Sequence, residues 1–139
     1  MEEKNLSAAM EDYIKTIYSL EKRNKVARVS EIGRMLSVKK ASVVAAVSLL
    51  QKNEFIKHER YGFITLTERG MSTAEKIAHK GRALFEFLTI ALKIDDEKAR
   101  TESCGMEHFI SPETAEKMIQ LTRQLAPKPV KKVMAKAKK

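Results

Sequence analysis

The stretch Ser103-Cys104-Gly105-Met106-Glu107-His108 holds the residue types in this chain best suited to chemistry. Cys104 is the single cysteine. On a helix, positions 104, 107 and 108 fall at i, i+3 and i+4 and share one face. A thiolate, a carboxylate and an imidazole on one face offer sulfur, oxygen and nitrogen donors to a divalent transition metal. The same three residues also read as a partly buried cysteine beside a surface ion pair, and the triplet alone leaves both readings open.

Other chemistry is poorly represented. There is no Ser/His/Asp set, no phosphate-cradling glycine loop and no HExxH motif, which argues against an enzyme. His58 and His79 have no ligand-spaced partners and read as surface residues. One cysteine forms no internal disulfide, so a reduced, cytoplasmic location is expected. The charged start Met1-Glu2-Glu3-Lys4-Asn5 has no apolar segment of the signal-peptide kind. No apolar run approaches the roughly 20 residues of a membrane span, so no membrane partner is expected.

The elements that must position the triplet follow from periodicity. Residues 8–22 predict a helix capped by Ser7, with Met10, Tyr13, Ile14, Ile17, Tyr18 and Leu20 as its apolar stripe. Residues 23–29 read as a polar link. A short helix over 30–36, capped by Ser30, and a second over 40–53 flank the turn Ser37-Val38-Lys39, a helix-turn-helix pattern. Residues 55–58 and 63–66 predict two strands joined by Glu59–Gly62, with Gly62 free to take positive φ. A hairpin directly after a helix-turn-helix is the winged-helix arrangement. Thr67 should cap a helix running to about residue 92, whose second half is apolar nearly all round and predicts a dimer interface. Asp95 or Asp96 opens a helix over 96–110 that carries the triplet. Ser111-Pro112 starts the last, over 112–125. The fold class expected is mainly α with a small β-hairpin wing. Its domains are a winged helix-turn-helix (1–70), a helical dimerisation and metal-binding domain (71–126) and a disordered basic tail (127–139).

Net charge is +9, but six of those charges are lysines in the last fourteen residues, leaving a modest excess of three elsewhere. Basic composition favours polyanions without choosing among them. Lys39, Lys40 and Ser42 stand at the start of the recognition helix, where helix-turn-helix proteins meet base edges and phosphates. Ala45 and Ala46 offer methyl contacts to thymine but no hydrogen bonds. Arg28 and, in the wing, Lys57, His58 and Arg60 are candidate phosphate contacts.

Four stretches, in order and at matching spacing, carry a family resemblance: Met10 through Tyr18, Val29-Ser30-Glu31-Ile32, Leu66-Thr67-Glu68-Arg69-Gly70, and Cys104 through Ser111. Over about residues 1–125 the chain resembles the DtxR/MntR family of metal-dependent repressors, in its short form without an SH3-like domain. The resemblance implies a homodimer that binds palindromic double-stranded operator DNA when metallated. It implies one metal per subunit, held by Asp12, Cys104, Glu107 and His108. Aspartate at position 12 matches manganese-type members and cysteine at 104 matches iron-type members, so the set is a hybrid; Fe²⁺ is favoured and Mn²⁺ second. Four family ligand positions are changed, to Gly81, Phe85, Arg100 and Lys15, which predicts loss of the family's second metal site. Arg100 and Lys15 are expected to place fixed positive charge where other members hold that second cation.

Two other readings make different predictions. A winged-helix regulator without metal would answer a small ligand or an oxidant through Cys104. A dimeric module whose helix-turn-helix no longer binds DNA would show no salt-dependent duplex binding.

Overall fold

The computed structural model describes residues 6–24, 26–59 and 62–126. Helix α1 (Ala8–Asn24) starts where Ser7 Oγ accepts the Met10 N–H at 3.1 Å. It buries Tyr13, Ile14, Ile17 and Leu20 along one stripe. Helices α2 (Val29–Leu36) and α3 (Lys40–Lys52) are joined by a turn that opens with Ser37 at φ 58°. Ser37 N–H donates to the Arg34 carbonyl and Val38 N–H to that of Gly33. This is the Schellman pattern, which ends α2 sharply enough for α3 to cross it.

Strands β1 (Ala27–Arg28), β2 (Ile56–His58) and β3 (Phe63–Leu66) form an antiparallel sheet in the order β1-β3-β2. Ala27 pairs with Ile64, and Lys57 with Thr65. The turn before β3 carries Gly62 at φ +89°. Strand β1 lies in the stretch expected to be a polar link, because a two-residue strand exists only by pairing with β3 and has no local pattern. Helix α2 also starts one residue before its expected cap. Arg28 holds the extended N-cap position, no side chain caps it, and Ser30 falls inside the helix.

The Leu66–Gly70 motif ties this sheet to its helices. Leu66 N–H donates to Glu21 Oε1 at 3.1 Å. Thr67 Oγ1 accepts the Gly70 N–H and donates to the Glu54 carbonyl. A Cβ at residue 70 would overlap the Phe55 carbonyl oxygen, so this close approach requires glycine. The shared core contains Ile14, Ile17, Ile32, Val43, Val47, Leu50, Ile56 and Ile64.

Helix α4 (Glu68–Glu86) follows, and the chain divides into two compact units between Ala78 and His79, inside this helix. In the second unit α4 continues as a π-helical segment, Phe87–Ala91. There Thr89 Oγ1 donates to the Phe85 carbonyl at 2.9 Å, and Leu92 N–H reaches back five residues to Phe87. Lys93, at φ 58°, follows the end of the segment. Helix α5 (Asp96–Met106) is capped by Asp95, and α6 (Pro112–Leu125) by Ser111 with proline at its first turn. The π-helical segment packs against α5 and α6 around Leu84, Leu88, Ala99 and Ala115. Leu92, Met106, Phe109, Leu121 and Leu125 remain exposed.

Helix α5 stops four residues before the expected boundary. Its last bond runs from Glu107 N–H to the Ser103 carbonyl, and Phe109 N–H then turns to Met106. Gly105 weakens the final turn, and the chain must reverse to reach the Ser111-Pro112 start of α6. Arg60 and residues 127–139 lie outside the described residues.

Candidate metal centre and nucleic-acid interface

The metal-ligand candidates of the second unit sit where α5 ends. Ala99 and Ser103 are the buried residues of α5, and Glu107 extends their i, i+4 stripe to the C-cap. Glu107 is therefore only 2 % exposed. His108, in the turn beyond, also has a buried side chain, and its Nε2 stands 4.0 Å from Glu107 Oε2. That separation is too long for a direct hydrogen bond. Two ligand atoms held at about 2.0–2.2 Å from one ion can be up to about 4.4 Å apart, so the pair fits a shared transition metal. Their ligand atoms belong to a group mutually within 4.8 Å. Cys104 stays outside that group and is exposed. It is one position off the buried stripe, on the exposed side of α5.

Glu107 extends toward α4. A Cβ built on Gly81 would run into Glu107 Oε1, and beyond the local helix no other described residue comes within 4 Å of it. Arg100 lies over the Phe85 ring, its guanidinium carbon 5.5 Å from the centroid. His79 is engaged with Glu116 at 2.9 Å on the surface.

Asp12 belongs to the first unit, half-buried on α1 one residue before the core stripe begins at Tyr13.

The nucleic-acid candidates also lie in the first unit. Lys39, Lys40, Ser42 and Ala45 are exposed at the start of α3. No side chain caps this helix, and its first turn holds no acidic residue. Ala46 is corrected: at 7 % exposure it is part of the core, three residues after Val43 and four before Leu50 on the buried stripe. The apolar side chains that α3 does expose are Val44 and Leu49. Arg28 rests over the Phe63 ring, 4.7 Å from its centroid, and Lys57 and His58 are exposed on β2.

Between α2, α3 and the wing is a cleft of about 530 Å³ lined by Arg28, Ser30, Arg34, Val38 and Lys40, among others. Arg34 was not among the sequence candidates. Its signal was available: it sits one helical turn after Ser30 on α2, just before the turn to the lysines. Arg28, Arg34 and Lys40 border this cleft, so its electrostatics favour an anion.

The two halves of this description match two family models. Residues 5–63 match the iron dependent repressor N-terminal DNA binding domain, and residues 67–134 its metal binding and dimerisation domain. The chain belongs to the iron-dependent repressor family. It is 36 % identical over 103 residues to the HTH-type transcriptional regulator MntR of Bacillus subtilis, covering 74 % of this chain and 72 % of that protein. It is 32 % identical over 114 residues to an uncharacterized HTH-type transcriptional regulator of Methanocaldococcus jannaschii, covering 81 % and 91 %. Among solved structures it resembles T. acidophilum IdeR, with a TM-score of 0.74 and 26 % identity over 85 % of this chain. The chain spans 55 % of the length of that IdeR chain. The family consists of transcriptional regulators rather than enzymes. The winged-helix and helical architecture is that of its members, and the second unit holds a metal-binding domain. No helix among the described residues is long and apolar enough to cross a membrane.

Phe85 and Arg100, expected from the resemblance to replace family ligands, are neighbours joined by a cation–π contact.

Proposed function

We propose that the chain is a metal-responsive repressor of metal-homeostasis genes, acting in the cytoplasm as a homodimer on palindromic operator DNA. The buried Glu107–His108 pair, in a domain matched to metal binding, carries this reading. The ligand set proposed is Asp12, Cys104, Glu107 and His108, one metal per subunit. The division of labour proposed is residues 1–70 for DNA, 71–126 for metal and dimerisation, and 127–139 as a basic tail.

Bound metal would supply a link between ligands on different helices. Asp12 then couples α1, and with it the DNA-binding unit, to the turn after α5. Lys39, Lys40, Ser42 and Ala45 meet the major groove, while Arg28, Arg34, Lys57 and Arg60 hold phosphates. A dimer fits two half-sites only at one separation of its recognition helices, so tying Asp12 down raises affinity. The exposed apolar side chains of the second unit, Phe109 above all, support self-association in a domain matched to dimerisation. In place of the second metal site, Arg100 and Lys15 supply fixed positive charge.

Carboxylates with imidazole suit Mn²⁺ and Fe²⁺, and a thiolate from Cys104 moves the preference to Fe²⁺. The deciding experiment measures operator binding with Fe²⁺, Mn²⁺, Zn²⁺ and Co²⁺ beside metal stoichiometry. One metal per subunit and metal-dependent binding are expected, with Asp12→Ala binding DNA weakly whether or not metal is present. Two metals per subunit would reject the single-site reading, and unchanged metal dependence in Asp12→Ala would reject the linkage.

The exposure of Cys104 favours one second reading, a regulator that answers an oxidant through this thiol. In that case oxidation changes operator affinity and metal does not.

A further inference from the structure

We infer that Gly81 is a positioning residue for the metal centre: the side chain it lacks is the space into which the Glu107 carboxylate extends. The inference rests on the metal reading of Glu107 and His108, and it names what sets their geometry.

Glycine is costly at this place. Residue 81 is inside the 19-residue helix α4, where glycine is about 0.8–1.0 kcal/mol less favourable than alanine. Its backbone does not call for glycine, because among the described residues Gly62 is the one glycine with positive φ. Nor does general crowding call for it. Beyond its own helix backbone and chain neighbours, the atoms of described residues within 4 Å of a Cβ at 81 are Oε1 and Cδ of Glu107. The bare backbone at 81 therefore serves one neighbour.

That neighbour is divided between two tasks. Oε1 lies over Gly81, and Oε2 faces His108 Nε2 at 4.0 Å. A carboxylate is rigid, so displacing one oxygen moves the other. A methyl group at 81 would push Oε1 away and turn Oε2 out of its relation to His108. The part that yields is the end of a flexible side chain rather than backbone, so the fold tolerates the change while the donor atom moves. Residue size at 81 thus controls where the Glu107 oxygens stand.

The test compares Gly81→Ala with the unchanged chain and with Arg82→Ala, an exposed control on the same helix. Metal-free thermal unfolding is measured first, then Co²⁺ titration followed by ligand-field absorption. Gly81→Ala should unfold at the same or a higher temperature without metal. It should bind Co²⁺ about 10–100-fold more weakly, the range for losing a group that orients a ligand. Its Co²⁺ spectrum should also differ, and Arg82→Ala should match the unchanged chain in all respects. Equal Co²⁺ affinity and spectrum in Gly81→Ala would overturn the inference and leave the metal reading standing. A Gly81→Ala chain that fails to fold would overturn it too, because the inference holds that Glu107 gives way. If the unchanged chain takes up no Co²⁺, the metal reading itself falls and the inference falls with it.

Discussion

The two units bury different things. The first hides branched and large apolar side chains, with Ile14, Ile17, Ile32, Val43 and Ile64 completely inaccessible. Its positive charge is on the outside, in the lysines of α3 and the arginines of the cleft. The second buries mostly alanine, with Leu84 and Leu88, and places Ser103, Glu107 and Thr122 among them. It leaves Phe109 the most exposed apolar side chain described, at 79 %, against 36–49 % for Met35, Val38, Val44 and Leu49 of the first unit. A closed apolar core with polar function at its rim suits a module that grips an external polyanion. A small-residue interior with a carboxylate and an imidazole inside suits a unit that binds an ion and is completed by a second copy.

The sharpest way to break this comparison is to truncate the core of the first unit. Ile64→Ala, on the central strand, should cost about 2–5 kcal/mol in chemical denaturation. Phe109→Ala should change monomer stability by less than about 0.5 kcal/mol. Its effect should instead appear as a changed concentration dependence in sedimentation. Comparable losses of monomer stability from both variants would erase the distinction.

The next effect separates burial for stability from burial for binding. Glu107→Gln keeps the shape of the side chain and removes its charge. Metal affinity should fall by about 100-fold or more, equivalent to about 2.7 kcal/mol. The metal-free thermal midpoint should change little. A large loss of metal-free stability would mean that Glu107 is a structural residue like those of the first unit.

The same contrast explains what the amino-acid order revealed. Stripes such as Tyr13-Ile14-Ile17-Leu20 and Val43-Val47-Leu50 are periodic, so the helices of the first unit could be read locally. So could the caps Ser7, Thr67, Asp95 and Ser111, because each needs only residues three positions apart. Strand β1 was hidden because two residues carry no alternation, and their register comes from Phe63 and Ile64. Ala46 carries no facing signal of its own, because alanine is common on either face, and only the stripe on both sides of it assigns it inward. In the second unit, the four motif stretches pointed to Glu107 and His108 through family likeness. The dependence of Glu107 on Gly81 joins residues 26 positions apart and has no local signature. The π-helical segment Phe87–Ala91 has ordinary helical composition, so periodicity alone does not set it apart from an α-helix.

On the outer face of the first unit, Arg34→Ala should weaken duplex binding uniformly across sequences. The slope of log affinity against log salt should fall by about one contact. Lys76→Ala, an exposed lysine on α4 away from the cleft, serves as the comparison. A change in sequence preference, rather than in salt slope, would make Arg34 a base reader and move the phosphate role to Arg28 and Lys40.

The smallest effects compare like with like across the two units. Ser7 and Ser111 each accept one N–H at 3.1 Å, from Met10 and Thr114, at the start of α1 and α6. Substitution by alanine should cost about 1 kcal/mol in either place. The local chemistry is identical, so any difference reports the unit around it. Ser111 follows directly on the turn that holds Glu107, His108 and exposed Phe109, whereas Ser7 precedes a helix whose stripe is sealed in the core. Ser111→Ala should therefore also lower Co²⁺ affinity by a small factor, about 2–3-fold, because fraying the start of α6 loosens that turn. Ser7→Ala should cost the same stability and leave Co²⁺ affinity unchanged. Equal metal affinity in both variants would show that the Glu107–His108 turn is held by burial alone and owes nothing to the cap that follows it.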